Sequence, residues 1–311
     1  MGQTLSEPVT SKETTFCKND SLIAGASSMQ GWRMYMEDSH IVLLSLPDDP
    51  EASFFGVFDG HGGSRISSFA GRHLHKYITR QECYRSGDIK TAIELGFLDL
   101  DNEMKEDKQL RNDMSGTTAV IVLIREGVVY CGNAGDSRAI ACVDGTVVPL
   151  SYDHKPNKNE ESQRIKHAGG FIEHNRVNGS LALSRALGDY AFKQNINRTQ
   201  QEQIISPFPE VAVNKITDKW EFILLACDGI WDVLSNEEAV HFVREHLLAG
   251  TEPDVICEEL MNECLSSTNQ ASGIGCDNMT AVLITFYTIS RKTGGKKDFD
   301  PFVVQLFANR Q

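Results

Sequence analysis

Three runs of apolar and aromatic residues in this chain meet an aspartate at one end. Phe54-Phe55-Gly56-Val57-Phe58 leads into Asp59-Gly60-His61-Gly62-Gly63, and Phe222-Ile223-Leu224-Leu225-Ala226-Cys227 leads into Asp228-Gly229. Cys276-Asp277-Asn278 stands just before the third run, Met279-Thr280-Ala281-Val282-Leu283-Ile284. Short continuous apolar runs of this kind read as buried strands, so each carboxylate sits at a strand end. Glycine beside the first two lets the backbone turn sharply or approach a ligand closely. A fold that gathers these ends brings three carboxylates and at least one free carbonyl to one place, a donor set suited to Mg²⁺ or Mn²⁺. Taken singly, Asp-Gly after a strand is an ordinary turn.

The rest of the chain reads as blocks of strands and helices. Strands are expected near 21–29, 39–46 and 53–58. Helical spacing of apolar residues follows over Ser64–Arg80 and Ile89–Lys108. Strands near 117–125, 127–132 and 137–142 form a meander turned at Glu126-Gly127 and Asp144-Gly145. A helix over Asn159–Ala168 stops at Gly169-Gly170. The segment 172–205 is polar and reads as a surface flap. Strands near 210–213, 221–227 and 279–289 and helices near 236–248 and 253–266 complete the pattern. Blocks rather than strict alternation argue for an α+β fold of antiparallel sheets with helices packed outside. Residues 1–20 read as a loose N-terminal segment, 21–290 as one catalytic domain, and 291–311 as a short polar tail.

A chain of 311 residues is ample for a sizeable core, and 41% hydrophobic with 23% charged residues is ordinary for a soluble protein. A formal net charge of −13 argues against non-specific nucleic-acid binding, which needs a basic surface. No apolar run approaches the length of a membrane span, and the N-terminus lacks a signal-peptide apolar core. The eight cysteines show no CxxC spacing and read as reduced core thiols, which predicts a cytoplasmic or nuclear location.

A fourth element, Gly31-Trp32-Arg33-Met34-Tyr35-Met36-Glu37-Asp38, sets an arginine and two acids within six residues. Further ordered segments are Ser115-Gly116-Thr117-Thr118, Asn133-Ala134-Gly135-Asp136-Ser137-Arg138, Arg176-Val177-Asn178-Gly179-Ser180 running on to Leu187-Gly188-Asp189, and Asp228-Gly229-Ile230-Trp231-Asp232. Together, over about residues 22–288, these motifs resemble the type 2C (PPM) family of metal-dependent serine/threonine protein phosphatases. The resemblance implies a sandwich of two antiparallel sheets flanked by helix pairs, phosphoprotein substrates, and a monomer.

It also implies roles. Asp59 would bridge two Mg²⁺ or Mn²⁺ ions, with the Gly60 carbonyl on one of them, and Asp228 and Asp277 would complete the shell of the other. Glu37 would reach the ions through water, and Asp38 fits the same shell. Asp136 and Asp232, with Asp228, match positions that hold a third, weaker ion, and turn and helix-cap duty is the plain alternative for both. Arg33 would grip two phosphate oxygens with its planar fork or pair with Glu37 or Asp38. His61 resembles the histidine proposed to protonate the leaving seryl or threonyl oxygen, a task suited to imidazole. Thr118 either hydrogen-bonds a metal-site carboxylate or is a core threonine, and Arg176 and Arg185 either contact peptide or are solvated.

Two cations serve phosphate-ester hydrolysis by lowering the pKa of a shared water and neutralising the phosphoryl oxygens. A pseudophosphatase that kept the fold as a binding module would be expected to lack one of Asp59, Asp228 or Asp277, and all three are present. A nucleotide-binding enzyme would be expected to carry a Gly-rich loop ending in Lys-Ser/Thr, and none occurs. Met1-Gly2-Gln3-Thr4-Leu5-Ser6 fits the N-myristoylation pattern at Gly2. One acyl chain gives reversible attachment, so a chain so modified would divide between membrane and cytosol.

Overall fold

The computed structural model describes residues 4–268 and 273–286. Gly2 and the tail 291–311 lie outside the described residues. The chain forms two compact units, one built from residues up to Met34, Ala139–Pro149 and Lys215 onward, the other from Tyr35–Arg138 and Leu150–Asn214.

The first unit is a sheet of six strands in the order Thr4–Lys18, Leu22–Arg33, Met279–Phe286, Trp220–Ala226, Arg138–Val143 and Thr146–Pro149. Helices Asn236–Leu248 and Pro253–Cys264 pack on it, sealing Phe222, Leu224, Ala226, Ala281 and Leu283 beneath Val243, Ile256, Leu260 and Met261. Each large aliphatic side chain removed from water contributes about 1.5–3 kcal/mol. The helix 253–264 starts almost on the sheet. A β-carbon built on Gly25 would fall 2.1 Å from the Asp254 nitrogen, so only glycine admits that approach. Helix 236–248 begins in a capping box, with Ser235 Oγ accepting from the Glu238 N–H at 3.2 Å and the Glu238 carboxylate accepting from the Ser235 N–H at 2.9 Å.

The second unit holds a five-stranded sheet in the order Glu210–Lys215, Val128–Ala134, Ala119–Arg125, Ser53–Phe58 and Ser39–Leu43. Helices Arg65–Thr79 and Ile89–Glu106 cover it, and the stripe Ile66, Ala70, Leu74 and Ile78 is fully buried with Phe54, Phe58, Phe97 and Ile121. Gly60–His61, Gly116–Thr117 and Leu187–Gly188 form a separate small antiparallel sheet.

The elements follow the sequence pattern closely, with two corrections. Residues 1–20, expected to be loose, contain the edge strand Thr4–Lys18, which pairs antiparallel with Leu22–Arg33. The segment 172–205 is irregular, as expected, but is more than a surface flap. Val177, Leu183, Ala186 and Ile205 are buried with Ile165 in a small core of their own, and Leu187–Gly188 joins a sheet. All eight cysteines are free thiols, and Cys131, Cys142, Cys227, Cys257, Cys264 and Cys276 are buried.

Candidate active site

In the second unit the strand Ser53–Phe58 runs out at Asp59, whose main chain is held on both sides. The Asp59 carbonyl accepts from the Thr118 N–H at 2.9 Å and from Thr117 Oγ1 at 3.1 Å, while the Asp59 N–H donates to Thr118 Oγ1 at 3.2 Å. Thr118 thus acts on the Asp59 backbone, and its hydroxyl lies 2.7 Å from Ser137 Oγ. The next residue packs against the other acidic motif. A β-carbon on Gly60 would come 2.1 Å from the Glu37 carbonyl oxygen and 2.8 Å from Ser67 Oγ, and Ser67 Oγ donates to that same carbonyl. Glu37-Asp38 and Asp59-Gly60, far apart in sequence, therefore lie side by side. Gly62 and Gly63, at φ of 69° and 137°, then swing the chain into the helix Arg65–Thr79.

His61 Nε2 lies 2.7 Å from Asp189 Oδ2. Burial pushes the imidazole pKa down, but the charge and hydrogen bond of Asp189, with Asp136 and Glu37 adding, outweigh it and raise the pKa above its ordinary value. Asp136 is buried, and Lys155 Nζ donates to its Oδ2 at 2.5 Å.

The first unit assembles the remaining acids around a cross-linked pair of turns. Arg33, at the end of Leu22–Arg33, donates to Asp277 Oδ2. Asn278 Nδ2 donates to the Gln30 carbonyl at 2.8 Å, and Trp32 Nε1 to the Ser266 carbonyl at 3.0 Å. Asp228 opens the short helix Asp228–Trp231 directly after the strand Trp220–Ala226. A β-carbon on Gly229 would fall 2.1 Å from the Asn278 carbonyl oxygen, which fixes Asp228-Gly229 against Asp277-Asn278. Asp232 ends that helix, its N–H donating to the Asp228 carbonyl at 2.8 Å.

Each unit therefore juxtaposes acids from distant motifs: Glu37, Asp38, Asp59 and Asp136 in one, Asp228, Asp232 and Asp277 in the other. The donors are hard oxygens, a set that fits Mg²⁺ or Mn²⁺ rather than a soft metal. As the side chains stand, no group of three or more histidine, cysteine, aspartate or glutamate residues within either unit forms a closed metal cluster among the described residues. Two of the acids hold cationic side chains, Arg33 on Asp277 and Lys155 on Asp136.

Arg33 forms an ion pair with Asp277. One expectation changes. Arg185 is neither solvated nor aimed at a ligand, because its guanidinium is bound to buried Glu161 at 2.7 Å and to the Phe208 carbonyl at 3.1 Å. Arg176 is exposed and donates to the Ser180 carbonyl at 2.6 Å. Asp189 was not among the expected site residues. Its one signal in sequence is that Ala186-Leu187-Gly188-Asp189 sets an aspartate beside a glycine at the end of a short apolar run.

Comparison with known proteins agrees with this reading. Residues 24–273 match the family model for protein phosphatase 2C. A probable protein phosphatase 2C of Caenorhabditis elegans is 57% identical over 284 residues, covering 91% of this chain and 80% of that protein. The protein phosphatase 2C homolog 2 of Schizosaccharomyces pombe is 47% identical over 291 residues, covering 92% and 79%. A crystal structure of a phosphatase from Toxoplasma gondii superposes with a TM-score of 0.75 at 26% identity, covering 89% of this chain and 96% of that one. The α+β fold is thus the one expected, and the chain belongs to the protein phosphatase 2C family.

Proposed function

We propose that this protein phosphatase is a Mg²⁺- or Mn²⁺-dependent enzyme that hydrolyses phosphoserine and phosphothreonine in proteins. The observation that carries the reading is the packing of Asp59-Gly60 against Glu37 with His61 beside them, because it commits acids from separate motifs to one place at a cost in sequence freedom. Asp59, Asp228 and Asp277, with Glu37, Asp38 and the Gly60 carbonyl, would hold two ions, and Asp136 and Asp232 a third, weaker one. Bound there, the ions would supply a nucleophilic water at neutral pH and neutralise charge on the phosphoryl oxygens.

The chain's own groups do the rest. Arg33 grips phosphate oxygens through its planar fork, leaving Asp277 as it does so. His61 delivers a proton to the departing seryl or threonyl oxygen, which is too basic to leave as an alkoxide. The test is release of phosphate from a phosphothreonine peptide with added Mg²⁺ or Mn²⁺, abolished by chelator and restored by excess metal. Turnover that ignores chelator would contradict it. A pseudophosphatase finds no support, since every acid such a protein would be expected to lose is present.

For the N-terminus we propose myristoylation of Gly2 and a cytoplasmic or nuclear protein with reversible membrane association. Intact-mass analysis of native protein decides it, a free or acetylated Gly2 counting against.

A further inference from the structure

Asp189 is placed with more care than a loop residue requires. It sits at a left-handed φ of 52°, directly after Gly188 at 78°. Its N–H donates to the Ser115 carbonyl at 3.2 Å. The Gly188 N–H donates at 2.8 Å to Asp101 Oδ1, and Lys193 Nζ donates to the same oxygen at 2.8 Å and to the Ala186 carbonyl at 2.8 Å. The side chains of Lys193 and Asp101 are only 4% and 3% exposed, so a sequestered ion pair fixes the main chain just before Asp189.

The space in front of Asp189 is cleared as well. Gly116 lies across from His61 in the small sheet. A β-carbon there would fall 2.2 Å from Asp189 Oδ2 and 2.5 Å from His61 Nε2. Any other residue at 116 would push the carboxylate and the ring apart. A histidine's tautomer is set by the hydrogen bond its other nitrogen makes. With Nε2 against a carboxylate, the proton stays on Nε2, and Nδ1 is left for the reaction.

We propose that Asp189 is a positioning residue for His61: it accepts the Nε2–H and fixes the ring's orientation, so that the imidazolium passes its Nδ1 proton to the leaving oxygen and ends as the Nε2–H tautomer. This rests on the phosphatase reading above and adds to it the residue through which His61 is held. The buried Asp101–Lys193 pair holds Asp189 in turn.

The experiment compares wild type with Asp189→Ala, Asp189→Asn, His61→Ala and the double variant His61→Ala/Asp189→Ala. Each is assayed on a phosphothreonine peptide, whose leaving group needs a proton, and on 4-nitrophenyl phosphate, whose leaving group does not. Asp189→Ala should lower kcat on the peptide by about tenfold or more, with KM and aryl-phosphate turnover nearly unchanged. Asp189→Asn keeps an acceptor oxygen and tolerates the left-handed backbone, so it should recover part of the loss. The double variant should be no worse than His61→Ala alone.

Equal losses on both substrates, or additive losses in the double variant, would overturn the proposal and leave Asp189 a structural residue. Wild-type protein that turned over neither substrate would overturn the phosphatase reading together with it, a different result from an active enzyme lacking the selective pattern. A measurement on the unaltered protein guards against variants that fail to fold. In ¹⁵N-histidine-labelled wild type, with His61 assigned by its loss in His61→Ala or His61→Gln, Nε2 should carry the proton, and a His61 protonated on Nδ1 alone would overturn the proposal.

Discussion

Gly60 lies so close to Glu37 that a β-carbon added to it would stand 2.1 Å from the Glu37 carbonyl oxygen. No real β-carbon contact is that short, so Gly60→Ala must part the two motifs. The expected result is a fall in kcat/KM on the order of 100-fold from misplacement of the acids. Overpacking should also destabilise the fold by about 1–3 kcal/mol. Steady-state assays and thermal melts on the same preparation check both, and an alanine variant with normal turnover would break the link between this packing and activity.

Binding and chemistry should separate at the two ends of the proposed mechanism. Arg33→Ala should raise KM for phosphopeptide about tenfold or more, the scale of a lost charge-assisted hydrogen bond, and change kcat less. His61→Ala should do the reverse, lowering kcat most for alkyl phosphoesters. Kinetics in which Arg33→Ala altered only kcat would remove the phosphate-gripping role.

Much of this was readable in the chain, for physical reasons. Asp59 and Asp228 follow strands buried along their whole length, so the apolar runs announce both the strand and where it stops. The helices Arg65–Thr79 and Ile89–Glu106 show a one-sided apolar stripe, and their bounds came within two residues. The edge strand Thr4–Lys18 was hidden because its mostly exposed residues give no alternation, and Pro8 argues locally against it. It exists through its pairing with Leu22–Arg33. Asp189 was hidden differently: its partner His61 is 128 residues away, and an aspartate beside a glycine reads as an ordinary turn. Arg185 reads as a solvated loop cation until the fold supplies Glu161.

That Glu161 site gives a stability prediction independent of catalysis. Glu161 accepts from Arg164 at 2.6 Å, from Arg185 at 2.7 Å and from Ser184 Oγ at 2.6 Å. Burial raises its pKa, but the hydrogen bond of Arg185, the charges of both arginines and the Ser184 hydroxyl outweigh that and bring it down to about 2. A depressed carboxylate stabilises the fold above its unfolded pKa, and the contribution is lost as pH falls from about 4.5 through about 2. Glu161→Gln leaves two arginines without their counter-charge and should cost about 3–5 kcal/mol at neutral pH. Urea unfolding across pH should show the gap between wild type and variant shrinking over that window, and a gap independent of pH would contradict the charge-based account.

The central claim is that acids gathered around Asp59 hold the ions on which phosphatase activity depends. Asp59→Asn keeps the shape and the backbone bonds to Thr117 and Thr118 but removes the charge. The most direct measurement is Mn²⁺ binding by calorimetry beside phosphothreonine-peptide turnover at matched metal concentration. The account predicts an intact thermal midpoint with metal affinity and turnover both reduced by orders of magnitude. Near-normal turnover in folded Asp59→Asn would contradict it.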